Sequence, residues 1–388
     1  MTLPFAWDGQ ENYGCPHLPE ARLGLCPRYG SEARRVITPS LPFGIGFHAT
    51  GAMLSANCYG PQKYVKRWSW ETFWMTQAAW CWLLLPVAGA CLTIPHLWLV
   101  LTHSPADRML LAFLMGIAYG VGGTAFNISL RYIGFSLTYS IAVGLSSILG
   151  TLVPPLVRGQ MAAILGRPGS QWVVAGIAAG ALGIAICGAA GRLKERGLDA
   201  SAGERGEFSL FKGLMLSLVA GVFSAVYGLA LEVAAPVADV AERYGAGIWK
   251  GNVTYIFTNA GAFLTALLYG LYLARRNRSI SQLVTLPEDA GPRRLAWNHL
   301  FAWMTGALWY GQFFFYNLGH VRLGPRYAFC SWAIHMIMLV LFSNLLAVAF
   351  KEWKGCEGRT RWLIGLGIAV LGGAIIMLTY GNHLGDIS

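Results

Sequence analysis

The stretch "WYGQFFFYNLGHVR" (residues 309–322) sets the reading of the whole chain. It lies near the end of an apolar run that begins around Trp297, yet it carries Gln312, Asn317 and His320 among its aromatic residues. At 100° per residue, Thr305, Trp309, Gln312, Phe313, Tyr316 and His320 fall within one helical stripe about 100° wide. Aromatic faces and polar groups therefore look the same way. Shifted by 190 residues, the stretch meets "YGVGGTAFNISLRY" (119–132), so that Trp309 faces Tyr119, Gln312 faces Gly122, Phe313 faces Gly123, Tyr316 faces Phe126 and Asn317 faces Asn127. One copy supplies side chains where the other supplies space.

The alignment runs on without a gap, pairing Gly116 with Gly306, Gly134 with Gly324 and Trp172 with Trp362. Upstream, "GAMLSANCYG" matches "GVFSAVYG" at a shift near 170, so roughly 20 residues enter the second copy around "PVADVAERYGAGIWKG". The chain is read as a duplication. Of its 388 residues 55% are hydrophobic and 12% charged, and the apolar residues come in blocks of about 20, the length that crosses roughly 30 Å of hydrocarbon. The expected spans are 44–60, 72–94, 109–128, 133–155, 171–190, 210–233, 252–273, 297–318, 328–350 and 362–381. The fold class is an all-α polytopic membrane protein of ten transmembrane helices in a 5+5 inverted repeat. Five is odd, so the second copy enters the bilayer from the opposite side, a common plan of secondary transporters with the site near the midplane between repeats. The domains are a polar N-terminal tail (1–43), a first five-helix repeat (44–190), a cytoplasmic hinge loop (191–209) and a second repeat (210–388).

The formal charge is +11, but the 29 Lys and Arg are scattered over loops rather than gathered in a stripe, which points to a lipid bilayer and away from nucleic acid. Loops after the odd-numbered helices carry more than twice as many of them as loops after the even-numbered ones. By the positive-inside rule the odd loops are cytoplasmic and both termini periplasmic. The tail stretch "ARLGLCPRYGSEARR" sets four arginines against that bias, and no secretory signal precedes it. Cys15 and Cys26 in the tail can pair if exported. The other six cysteines read as free thiols with no C-x-x-C or nearby His, so neither a metal nor a cofactor is expected. No nucleophile with its base, metal cluster or paired carboxylates stand in register, which argues against an enzyme.

Polar groups in hydrocarbon face a bundle interior or a water-filled cavity. The candidate solute-binding residues are therefore Trp309, Gln312, Tyr316, Asn317 and His320, with Tyr119 and Asn127 from the duplicate helix, Ser331 and His48. Flat aromatic faces beside amide and imidazole groups suit a sugar or another small polar solute. For a coupled proton the candidates are His335, on one face with Tyr327, Ser331, Met338 and Phe342, and Glu232, the acidic residue set well within a span. An imidazole titrates near pH 6.5 when unperturbed. A structural contact remains the alternative for both. Gly116, Gly120, Gly176 and Gly180 read as helix-packing contacts. Glu71, near Lys63, Lys66 and Arg67, reads as a loop ion pair or gate element, as do Arg131 and Glu352.

The blocks "KYVKRWSWETFW" (63–74), "LRYIG" (130–134), "RLKER" (192–196), "WYGQFFFYNLGH" (309–320), "SWAIHM" (331–336) and "FKEWK" (350–354) resemble the L-rhamnose–proton symporter family of the drug/metabolite transporter superfamily. The similarity runs in order from 44 to 382. It implies a ten-helix bacterial inner-membrane carrier that takes up L-rhamnose, or a related deoxy sugar, with a proton by alternating access. The alternative is a carrier of the same fold for another small polar metabolite, or an exporter. Two departures bear on substrate and coupling: Ala328 and Arg326 stand where the family often has an acidic residue before "SW", and Glu232 stands where an amide is expected.

Overall fold

The computed structural model describes residues 40–199, 210–286, 291–323 and 328–386. The tail with Cys15 and Cys26, most of the hinge, Arg326 and Tyr327 lie outside them. Among the described residues the chain is all-helical, without a strand. Hydrocarbon offers no partner to a free N–H or C=O, so each crossing segment must satisfy its backbone within itself.

Eight helices are long and apolar enough to cross a membrane: Trp70–Thr93 (α2), Ala106–Ser129 (α3), Leu137–Val157 (α4), Ser170–Lys194 (α5), Phe211–Arg243 (α6), Gly247–Arg276 (α7), Ser331–Ala349 (α9) and Gly358–Gly385 (α10). Two further helices among the described residues fall outside that group. Leu41–Asn57 (α1) is 17 residues long, and Gly291–Leu323 (α8) has 33 residues but is laced with polar ones. These two, less apolar than the rest, pack on each other and carry His48, Gln312 and His320.

Three features depart from simple spans. The helices expected at 109–128 and 133–155 are one helical run from Ala106 to Val157. That run folds back on itself: Ser129 Oγ and Thr138 Oγ1 lie 3.1 Å apart, and the Phe126 and Tyr139 rings 5.5 Å, whereas nine residues of straight helix would separate the first pair by about 13 Å. In α2 the turn Ala79–Leu84 is a π-helix, closed by the Leu85 N–H on the Trp80 carbonyl. Pro86 follows it and cannot donate to the carbonyl four residues back, so the helix widens there. Finally, α6 breaks after Val233, where Pro236 opens a short helix, Ala235–Arg243.

Small residues let the helices close. A side chain at Gly116 would strike the backbone of Thr258 in α7, one at Gly261 would strike the Phe113 carbonyl, and one at Gly120 would meet Thr265. Gly176 lies against Ala374 and Leu378 of α10, and Gly180 against Ile337. All four glycines expected to be packing contacts are so, as suits helices held by van der Waals fit where the lipid is as apolar as the protein.

Candidate functional site

Aromatic side chains from both halves of the chain meet at the centre of the bundle. Trp309 of α8 is 5.3 Å from Trp82 and 6.0 Å from Trp74, both of α2, and 5.8 Å from Tyr59 at the end of α1. Trp82 in turn meets Tyr119 of α3 at 6.2 Å, and Tyr119 meets Tyr227 of α6 at 4.5 Å. Tyr227 packs 5.0 Å from Phe313 and donates to Asn259 Oδ1 at 2.5 Å. Tyr255 of α7 donates to the Phe313 carbonyl at 2.7 Å, fixing α8 beside α7. Several polar atoms around this box are buried and unpartnered: Trp74 Nε1, Trp82 Nε1, both ends of the Gln77 amide and Thr305 Oγ1. Gln77 and Thr305 sit on helices that touch at Gly306, where an added side chain would meet the Gln77 carbonyl. Leaving a buried polar atom unpaired costs roughly 1–3 kcal/mol, which marks this polar cluster as a candidate binding wall.

A second layer lies one turn along α8. His48 Nε2 and Ser331 Oγ are 3.0 Å apart, the His48 and His335 rings are 5.7 Å apart, and each ring is also edge-on to Tyr316, at 5.3 and 5.4 Å. Tyr316 stacks on His320 at 5.9 Å and meets Trp332 at 5.5 Å. The sequence makes room for this: Gly319 leaves space for the His48 ring, and Gly51 lets α1 approach the Gln312 carbonyl and the His335 ring. His48 and His335 are 0% and 1% exposed, and the Nδ1 atoms of His48, His320 and His335 have no partner. Among the described residues no group of three His, Cys, Asp or Glu side chains is placed to hold a metal.

A family profile described as L-rhamnose-proton symport protein (RhaT) matches residues 37–383. The chain belongs to this family. It is 34% identical to the L-rhamnose-proton symporter of Pectobacterium atrosepticum over 329 residues, 84% of this chain and 94% of that protein. The L-rhamnose-proton symporters of Yersinia pestis strain Pestoides F and of Yersinia pseudotuberculosis serotype O:1b match with the same identity and coverage. This is a family of transporters, not of enzymes.

Set against the family site expected from sequence, Trp309, Gln312, Tyr316, His320, Tyr119, Ser331, His48 and His335 lie in or beside the two layers, and Gln312 is buried between Trp309 and Tyr316 on the same stripe. Asn127 does not join them. It lies eight residues along α3 from Tyr119, and its amide donates to the Gly123 carbonyl of its own helix at 2.9 Å. Asn317 turns the other way, onto Gly251 and the Ile248 carbonyl. Glu232, just before the break in α6, forms an ion pair with Arg158. Glu71 is not a lysine partner among the described residues: it is 4% exposed, and its carboxylate accepts from Ser279 Oγ at 2.6 Å and Asn277 Nδ2 at 2.9 Å. Trp74, Gln77, Trp82, Tyr227 and Trp332 went unread in the sequence. For Trp74 and Trp332 the signal was the tryptophan density of "WSWETFW" and "SWAIHM".

Proposed function

We propose that the chain imports L-rhamnose, or a related deoxy sugar, together with a proton by alternating access. The observation that carries the reading is the junction of an aromatic box, Trp74, Trp82, Trp309, Tyr119 and Tyr227, with the buried His48–Ser331–His335 cluster. The rings offer flat faces to sugar C–H groups and to a deoxy-sugar methyl. Gln312, Gln77 and Thr305 offer hydroxyl partners, and the imidazoles take the proton. A carrier of greasy metabolites has no use for that polar wall, and membership of a sugar-symporter family weighs against an exporter.

The same reading takes the chain as ten crossings of a bacterial inner membrane in a 5+5 inverted repeat, with periplasmic termini. Contacts at the two ends of the bundle support it. Glu352, after α9, lies 3.7 Å from Lys63, after α1, and 3.7 Å from Lys194, near the end of α5; all three follow odd-numbered helices. Arg158, after α4, pairs with Glu232 beside the break in α6, and Lys250 at the start of α7 reaches Glu242 near the end of α6 at 2.5 Å; these lie around the even-numbered connections. With side chains between 17% and 73% exposed these pairs are partly solvated and contribute on the order of 1 kcal/mol or less, weak enough for gates that must open.

Proteoliposomes test the proposal. The wild-type chain is expected to concentrate labelled L-rhamnose when an inward proton gradient is imposed. His335→Gln is expected to keep exchange of labelled for unlabelled sugar but to lose accumulation, because exchange needs only the loaded carrier to reorient. Accumulation retained in His335→Gln and lost in Glu232→Gln would move the proton to α6.

A further inference from the structure

A pocket of about 430 Å³ opens where α8 begins and is lined by Tyr64, Lys66, Arg293, Arg294, Trp297 and Phe301. We propose that it holds the acidic headgroup of an anionic phospholipid whose acyl chains run along α8. Lys66, Arg293 and Arg294 bring three positive charges to one cavity, and none has an ion-pair partner among the described residues. The nearest acids in sequence, Glu288 and Asp289, lie outside those residues.

The pocket is built rather than incidental. The buried Asn298 accepts from the Lys66 N–H at 3.2 Å and donates to the Lys66 carbonyl at 2.8 Å, so the loop carrying Tyr64 and Lys66 is fixed to α8. Trp68 Nε1 donates to the Gln282 carbonyl at 2.8 Å and holds the loop from its other side. The walls are aromatic: Phe301 lies 5.5 Å from Tyr64 and stacks on Trp297 at 5.6 Å. A soluble phosphate needs the cations but not what adjoins them. Trp297, Leu300 and Met304 are exposed, at 43%, 39% and 36%, and at spacings of three and four they form one stripe that climbs α8 for about 10 Å. Basic groups with interfacial Tyr and Trp, leading onto an exposed apolar stripe, match a headgroup with its tails.

Native mass spectrometry of the purified full chain, exposed to phosphatidylglycerol or to phosphatidylcholine with the same tails, tests this. The wild type is expected to retain phosphatidylglycerol preferentially. With each cation worth roughly fivefold near an anionic group, K66Q/R293Q/R294Q should lower that retention about a hundredfold and leave phosphatidylcholine unchanged. Sugar exchange serves as the folding control; should the triple variant not fold, R293Q and R294Q singly are each expected to lose about fivefold. Equal retention of both lipids by the wild type, as when Glu288 and Asp289 already neutralise the arginines, overturns the proposal. Full retention by the variants overturns it too. Displacement of the lipid by millimolar inorganic phosphate alone assigns the pocket to a soluble anion and overturns the lipid.

Discussion

Helices α3 and α8, which a shift of 190 residues sets against each other in the sequence, do opposite work. Helix α8 turns Trp309, Gln312, Phe313 and Tyr316 into the centre. At the matching positions α3 has Tyr119, Gly122, Gly123 and Phe126, and its glycines are used for approach: Gly116 and Gly120 let α7 in, and Gly122 leaves room for Phe223 of α6. Gly123 alone of these has slack, its added carbon coming no nearer than 3.7 Å to the Trp82 ring. The difference teaches that correspondence in sequence need not carry a site with it. One helix holds the bundle closely enough for the other to display aromatic and polar groups against it.

The largest expected effect breaks the closing half. Gly116→Val drives a side chain into the Thr258 backbone, and an overlap with backbone that cannot swing aside should cost about 3 kcal/mol or more. Thermal unfolding in detergent is expected to show a much lower Tm or no folded protein; an unchanged Tm would remove the packing role of α3. Next comes the displaying half. Gln312→Ala should weaken L-rhamnose binding by about 5- to 150-fold, corresponding to about 1–3 kcal/mol for a buried polar contact. Its duplicate, Asn127→Ala, should change affinity less than about twofold, a shift well under 1 kcal/mol. Equal losses in a titration of the two variants would abolish the asymmetry. The smallest effect sharpens it: Gly123→Ala adds a methyl at ordinary contact distance beneath Trp82, so stability should move within about 0.5 kcal/mol and sugar affinity within about threefold. A large loss of affinity there would mean that the guest itself fills the space at Gly123.

Much of the architecture was legible because hydrocarbon restricts what a backbone can do. The expected span 210–233 and the helix Leu210–Val233 coincide, and the stripe from Trp309 to His320 follows from helical period alone. The reversal inside Ala106–Val157 was read as a loop, since helical propensity and chain direction are separate properties. The widened turn Ala79–Leu84 was missed because Pro86 can be accommodated by a kink, a break or a π turn, and local sequence does not choose among them. Trp74, Trp82 and Tyr227 were missed for another reason. An aromatic residue in a membrane helix faces lipid as readily as it faces a cavity, and only the rotation of each helix decides which.

What the sequence determined by itself is therefore what can be settled within one helix: where the segments lie and which side of each is polar. The tertiary structure alone decided which polar groups meet. His48 and Ser331 are 283 residues apart and in hydrogen-bond reach, Glu232 is spent on Arg158 instead of on the histidines, and Asn317, in the same stretch as Gln312, faces Gly251. Helical period fixes angles around one axis to within a residue. The distance and rotation between axes are set by small-residue contacts such as Gly319 on His48 and Gly51 on His335, which leave no periodic trace along the chain.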